Sequence, residues 1–200
     1  MTTHNHPKPP IDQLKQDLVF TANLRDQDLE FHSTWGLFSP RTIDEGTLLL
    51  LKHLTINPDT TALDLGCGYG PLGLTIAKLA PKGQVHLVDK DFVAIDYTKQ
   101  NAQINQLTNT HSYLSNGFSA VPAGQKFDLI VSNIPAKVGN ELLTIFLHDA
   151  RSHLNPGGQL AIVTISGLRE YMKRHLSEVF GNYTKLGQSK TYTAASATKQ

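Results

Sequence analysis

Asp64 opens the most chemically suggestive stretch of the chain. It lies in the apolar run Thr61-Ala62-Leu63-Asp64-Leu65, and glycines follow at alternate positions in Gly66-Cys67-Gly68-Tyr69-Gly70. Glycines where a buried strand turns into a helix admit backbone angles closed to other residues and let a ligand approach the chain closely. A second apolar run, Val85-His86-Leu87-Val88, ends in Asp89, 19 residues beyond Gly70. That is near the roughly 20-residue offset at which a carboxylate meets the vicinal hydroxyls of a ribose. Gly68-Tyr69-Gly70-Pro71-Leu72-Gly73 also satisfies the dinucleotide pattern G-x-G-x-x-G. Asp64 separates the two ligands, because a carboxylate two residues before the first glycine repels a pyrophosphate. A ligand with a cationic amino group and a sulfonium is suited by it, so S-adenosylmethionine fits this loop better than NAD. The purely structural alternative is a tight glycine turn with Asp64 capping the next helix.

The elements needed to hold such a loop are legible around it. Leu72, Ile76 and Leu79 recur at helical spacing after the glycines, and the segment Phe92–Asn105 reads as a second helix after Asp89. Further short apolar runs at Ser112–Leu114, Phe127–Val131 and Leu160–Ile165 alternate with helical patterns, the last ending near Phe180. Repeated β-α-β units imply parallel strands with right-handed crossovers. Tyr183–Leu186 and Thr191–Ala195 would close the sheet as an antiparallel hairpin. The expected fold is α/β: a doubly wound, mostly parallel seven-stranded sheet. Upstream, Asp44–Leu54 reads as a helix, Phe31–Pro40 as an aromatic-bearing loop, and residues 1–27 as a tail. Ile11, Leu14 and Leu18 could form a short helix in that tail, leaving 28–200 as the domain.

Composition narrows the class. With 200 residues, 40% hydrophobic, the chain suits one domain with a sizeable core. Eighteen basic against 17 acidic residues give a net charge of +1, which argues against bulk electrostatic gripping of nucleic acid or membrane. The single cysteine, Cys67, cannot form an internal disulfide and points to a reducing compartment. Its place in a glycine loop without a neighbouring base suits space filling rather than nucleophilic chemistry. The nine histidines show no paired metal-ligand spacing, so no metal is expected. No apolar run spans a membrane and the N-terminus has no signal-peptide core, so the chain reads as a soluble, cytoplasmic protein.

Asp-Leu-Gly-Cys-Gly-Tyr-Gly at 64–70 resembles the first motif of class I S-adenosylmethionine-dependent methyltransferases, a Rossmann-like fold. Phe31…Gly36-Leu37-Phe38-Ser39…Ile43-Asp44-Glu45-Gly46-Thr47-Leu48-Leu49-Leu50 resembles the entry segment of the methyltransferase small domain. That family is typified by guanine-N2 methyltransferases of small-subunit ribosomal RNA. Ser115-Asn116-Gly117-Phe118 and Phe127–Asn133 follow in the family's order, so the likeness runs from about Phe31 to the C-terminus. It implies that Gly66, Cys67, Gly68 and Gly70 line the methionine portion of the cofactor, with Asp64 near its amino group. It further implies that Asp89 holds the ribose and that Asn116, with Gly117, faces the adenine. Asn116 also suits a plain turn. Thr47 and Asp44 would edge the methionine pocket, Asp44 having helix capping as an equal reading.

The family's catalytic loop after the fourth strand reads Asn-Pro-Pro and then a large apolar residue. Its Asn oxygen and the next carbonyl accept hydrogen bonds from an exocyclic amine, aiming the nitrogen at the methyl group. Here the loop reads Asn133-Ile134-Pro135-Ala136-Lys137. The resemblance carries catalysis to Asn133 and substrate contact to Ile134, Pro135, Ala136 and Lys137. Ile134 restores an N–H where the family has proline and is expected to loosen the loop. Ala136 offers no face for a base to stack on, and Phe38 is the candidate to supply it. Lys137, Arg151, Arg169, Lys173, Arg174, Lys185 and Lys190 could face RNA or simply be solvated. Family members often carry a second domain that aids RNA binding; with no room for one, a helper protein or an intact ribosomal particle would supply those contacts. The reading is N-methylation of guanine in ribosomal RNA. A small-molecule or protein methyltransferase of the same fold, and a non-catalytic cofactor-binding module, are the alternatives.

Overall fold

The computed structural model describes residues 17–135 and 139–200. Its elements, in chain order, are β1 (Leu18–Leu24), β2 (Gln27–Ser33), α1 (Glu45–His53), β3 (Ala62–Leu65), α2 (Pro71–Leu79), β4 (Val85–Asp89), α3 (Phe92–Ile104), β5 (Thr110–Leu114), β6 (Phe127–Asn133), α4 (Asn140–His153), β7 (Leu154–Ile165), α5 (Arg169–Phe180), β8 (Thr184–Gln188) and β9 (Tyr192–Thr198). Seven strands form one sheet in the order β5-β4-β3-β6-β7-β9-β8. β3 to β7 are parallel, whereas β9 runs antiparallel to both β7 and β8. The expected doubly wound sheet with its closing hairpin is therefore what forms.

The sheet is the middle of three layers. Leu50 and Leu51 of α1, Leu72, Leu74 and Ile76 of α2, and Ala94 and Ile95 of α3 bury themselves on one face. Leu143, Leu147 and Ala150 of α4, with Met172, Leu176 and Phe180 of α5, cover the other. The central strands are buried on both faces, which is why β3 and β4 read as near-continuous apolar runs rather than alternating ones.

The N-terminal region departs from expectation. Ile11 and Leu14 lie outside the described residues, and Leu18 opens a strand rather than closing a helix. β1 and β2 pair along their whole length as an antiparallel hairpin. Phe31, expected in a loop, is a fully buried β2 residue packed on Phe20 and Tyr69. The two-residue turn holds Arg25 and Asp26 at φ +53° and +62°, a geometry normally signalled by Asn-Gly. What that turn achieves is visible at its tip: the Arg25 guanidinium donates to the carbonyls of Leu54 (2.6 Å) and Leu51 (3.3 Å), capping the negative end of α1.

Candidate functional site

The strand order reverses between β3 and β6, so their carboxyl ends flank a crevice, the place where open α/β sheets bind ligands. The glycine loop leaves β3 on one side of it, and Asn133 ends β6 on the other. Within the loop four backbone donors are already engaged. Gly66 N–H and Cys67 N–H donate to the Val88 carbonyl (2.8 and 3.0 Å), and Gly70 N–H to that of Cys67 (2.9 Å). Gly68 N–H donates to Asp89 Oδ2 (3.0 Å). At the start of α2, Gly73 N–H donates to Asp64 Oδ2 (2.7 Å). These glycine-loop donors, which a pyrophosphate would need, are thus spent on the protein itself. Gly73 also lets α2 lie close on the sheet: a Cβ there would fall 2.4 Å from Leu87.

Asp64 is 1% exposed, and its Oδ1 has no hydrogen-bond partner among the described residues. Burial pushes its carboxyl up to about 7, the Asp89 charge adds to this, and the Gly73 N–H opposes it. One oxygen of Asp64 thus caps α2, as the structural alternative has it, and the other is left without a partner among the described residues. Gly66 and Gly68 adopt φ of +74° and +58°, and a Cβ on either would meet nothing within 4 Å. The loop therefore offers an open ledge beside an unsatisfied carboxylate oxygen. Cys67 turns inward instead, its Sγ 3.6 Å from Thr98 Oγ1, and burial pushes its thiol up. It fills space and can meet a ligand through its backbone alone.

Asp89 uses Oδ2 on Gly68 N–H and Oδ1 on Asp91 N–H (3.0 Å), and each oxygen retains a lone pair for a diol. Ser115 N–H donates to the Asp89 carbonyl (2.9 Å), which sets the turn of Asn116 and Gly117, φ +60°, beside it. Phe92, 62% exposed at the first position of α3, stands near the same strand ends. Sequence reasoning passed over it, although an aromatic just past the carboxylate expected to hold a ribose is a readable signal.

On the β6 side, Asn133 Nδ2 donates to Asp44 Oδ2 (2.9 Å) and Thr47 Oγ1 (3.2 Å). Asp44 also accepts from Gly46 N–H (2.8 Å) and Thr47 N–H (3.3 Å) as the N-cap of α1. The carboxylate that caps α1 is thus the one that holds the Asn133 amide. With its nitrogen held there, the Asn133 amide turns Oδ1 the opposite way, as an acceptor. The backbone at Ile134 itself is not loosened as expected. Its N–H donates to the Val163 carbonyl (2.9 Å), extending the β6–β7 ladder, and its side chain is 5% exposed in the core. Only its carbonyl is available to a substrate. Pro135 is exposed, whereas Ala136 and Lys137 lie outside the described residues. Phe38 is 64% exposed on the segment that crosses the glycine loop, tied down where Tyr69 Oη donates to the carbonyls of Ser39 (3.0 Å) and Thr42 (3.3 Å). Tyr192 donates to Asp44 Oδ1 (2.9 Å), a participant the sequence did not reveal.

Residues 28–196 match the family model of the methyltransferase small domain. The chain belongs to this family. Among its relatives, the uncharacterized protein YbxB of Bacillus subtilis (strain 168) is 34% identical over 158 residues, covering 78% of this chain and 77% of YbxB. Ribosomal RNA small subunit methyltransferase C of Haemophilus influenzae (strain 86-028NP) is 36% identical over 169 residues, covering 82% of this chain and 49% of the relative. The T. thermophilus 16S rRNA N2 G1207 methyltransferase, solved with AdoMet and guanosine, superposes with a TM-score of 0.84 at 29% identity, over 96% of this chain and 52% of that one. The chain spans about half the length of these ribosomal RNA methyltransferases. The site of this small-domain methyltransferase fits S-adenosylmethionine, the cofactor expected from the sequence, on the orphaned Asp64 oxygen and the open glycine ledge.

Proposed function

We propose that this methyltransferase uses S-adenosylmethionine to methylate the exocyclic amine of a guanine in ribosomal RNA. The observation that carries the reading is the fixed amide of Asn133, whose nitrogen is spent on Asp44 and Thr47 and whose oxygen is therefore an acceptor. An exocyclic amine has N–H groups to donate, and accepting them fixes the nitrogen's orientation while favouring loss of its proton. Asn133 Oδ1 and the Ile134 carbonyl are the two acceptors. Asp64 Oδ1 would take the cofactor's amino group, Gly66 to Gly70 would flank its methionine portion, with Thr47 at the edge, Asp89 would hold the ribose, and Asn116 with Gly117 would meet the adenine. Phe92 adds an apolar face beside them. When bound, S-adenosylmethionine supplies an electrophilic methyl group. The ribosomal RNA substrate is supported by the named activities of the relatives, and Phe38 replaces the base-stacking surface that Ala136 cannot provide.

The test is transfer of labelled methyl groups to small ribosomal subunits that lack them. Label should enter RNA, and Phe38→Ala should raise KM for the RNA several-fold while leaving cofactor affinity unchanged. Label recovered only in protein or small metabolites would overturn the substrate, and an unchanged KM would remove Phe38 from it.

A further inference from the structure

We propose that Tyr192 is a positioning residue, whose hydroxyl, acting through Asp44, holds the Asn133 amide with its acceptor toward the reacting amine. The inference rests on the amine-methylating reading above. It concerns a residue on the antiparallel strand β9, 148 positions from the carboxylate it contacts.

The Asp44 carboxylate serves four donors. Oδ2 accepts from Gly46 N–H, Thr47 N–H and Asn133 Nδ2, while Oδ1 accepts from Tyr192 Oη. A helix cap needs only the first two, and an N-cap aspartate that makes only those can rock about χ2, which tilts the carboxylate plane and moves the acceptor relative to Asn133. The Tyr192 hydroxyl removes that freedom. It fixes the plane of the carboxylate, so the oxygen opposite Tyr192 stays where it meets both the helix and Asn133. A fixed carboxylate then decides which way the Asn133 amide faces. The flipped amide would set its oxygen against a carboxylate and turn two N–H donors toward the substrate. The observed orientation presents an acceptor instead, which selects nucleophiles that have N–H groups to donate.

Tyr192 is itself held. Its N–H donates to Ser189 Oγ (3.0 Å), and its carbonyl accepts from Ser189 N–H (2.8 Å). Its ring lies on Gly46, where a Cβ would come within 3.0 Å of Cδ1, so the missing side chain at 46 is what lets the hydroxyl reach Asp44. Burial and the adjacent Asp44 push the phenol up to about 12, so it remains a donor throughout the working pH range.

Tyr192→Phe retains the ring on Gly46 and removes only the hydroxyl. The side-chain amide signals of Asn133, assigned in 1H–15N spectra by their loss in Asn133→Ala, should shift and exchange faster with water in the variant. Its kcat should fall about tenfold, the effect of losing one hydrogen bond to a charged group. KM for S-adenosylmethionine and RNA should stay within twofold of wild type, and Tm should fall by only a few degrees. Unchanged Asn133 signals, or an unchanged kcat beside a shifted signal, would overturn the assignment. A fall in kcat matched by equal losses of cofactor affinity and Tm would reduce Tyr192 to a structural role. The spectra need no substrate, so they test the Tyr192 link even if wild-type protein methylates no RNA, an outcome that would count against the amine reading alone.

Discussion

Asp64 has one oxygen on a helix N–H and one with no partner among the described residues, in a site where ionisation is costly. Its carboxyl titrates near 7 rather than at its ordinary 3.8. Between those values the folded cofactor-free protein keeps a proton that the unfolded chain has lost. The contribution of Asp64 to stability therefore declines as pH rises from about 4 to 7. Binding a cationic amino group reverses the preference and expels that proton. Affinity for S-adenosylmethionine should tighten as pH rises toward 7, by up to about tenfold per unit below it, with proton release visible in calorimetry across buffers of different ionisation enthalpy. Asp64→Asn should weaken binding and flatten this dependence; a wild-type affinity constant from pH 6 to 7 would contradict the role. Asp64 stood out in the sequence because a carboxylate at a strand end before glycines has few chemical uses, and Asp89 because it ends the next strand 19 residues beyond Gly70. Tyr192 was not, because its neighbours Thr191 and Thr193 give only a strand pattern and its partner is remote in the chain.

Among the elements, the β1–β2 hairpin is joined to the site by α3. Asn101 and Asn105, four residues apart on one helix face, act as an extra strand for β2. Asn101 Oδ1 accepts from His32 N–H (2.7 Å), and its Nδ2 donates to the carbonyls of His32 and Tyr69 (both 2.9 Å). Asn105 repeats the pairing at Glu30, accepting at 3.0 Å and donating at 2.7 Å. Because Asn101 is fully buried and also reaches the glycine loop through Tyr69, Asn101→Ala should cost about 2–4 kcal/mol in urea unfolding and weaken cofactor binding. A stability loss without any change in affinity would separate the hairpin from the site. The second test concerns the end of β6. Restoring the family's proline with Ile134→Pro removes the N–H that Val163 accepts, and should destabilise by about 1–3 kcal/mol, measured the same way. Equal or greater stability would mean that this bond does not anchor the loop. The hairpin escaped the sequence reading because its turn is built from Arg25 and Asp26, whose positive φ is supported by a tertiary contact with α1 rather than by turn residues.

Over the whole molecule, one sheet with its switch point between β3 and β6 brings residues from five parts of the chain to one crevice: Asp44 and Thr47, Asp64 with the glycines, Asp89, Asn133 and Tyr192. The parallel half of that sheet was readable because buried strands and amphipathic helices announce themselves by period. The cross-links between its ends were not, since a hydrogen bond such as Asn133 to Asp44 leaves no mark on local sequence. With a net charge of +1, the proposed RNA substrate would have to be held through local contacts rather than bulk attraction. The most direct measurement is nucleoside analysis of small-subunit RNA after reaction with wild-type and Asn133→Ala protein. Wild type should yield N2-methylguanosine, and Asn133→Ala should lower the rate at least a hundredfold while still binding S-adenosylmethionine. N2-methylguanosine formed at the wild-type rate by Asn133→Ala, or a methyl group on a different base, would contradict the proposed chemistry.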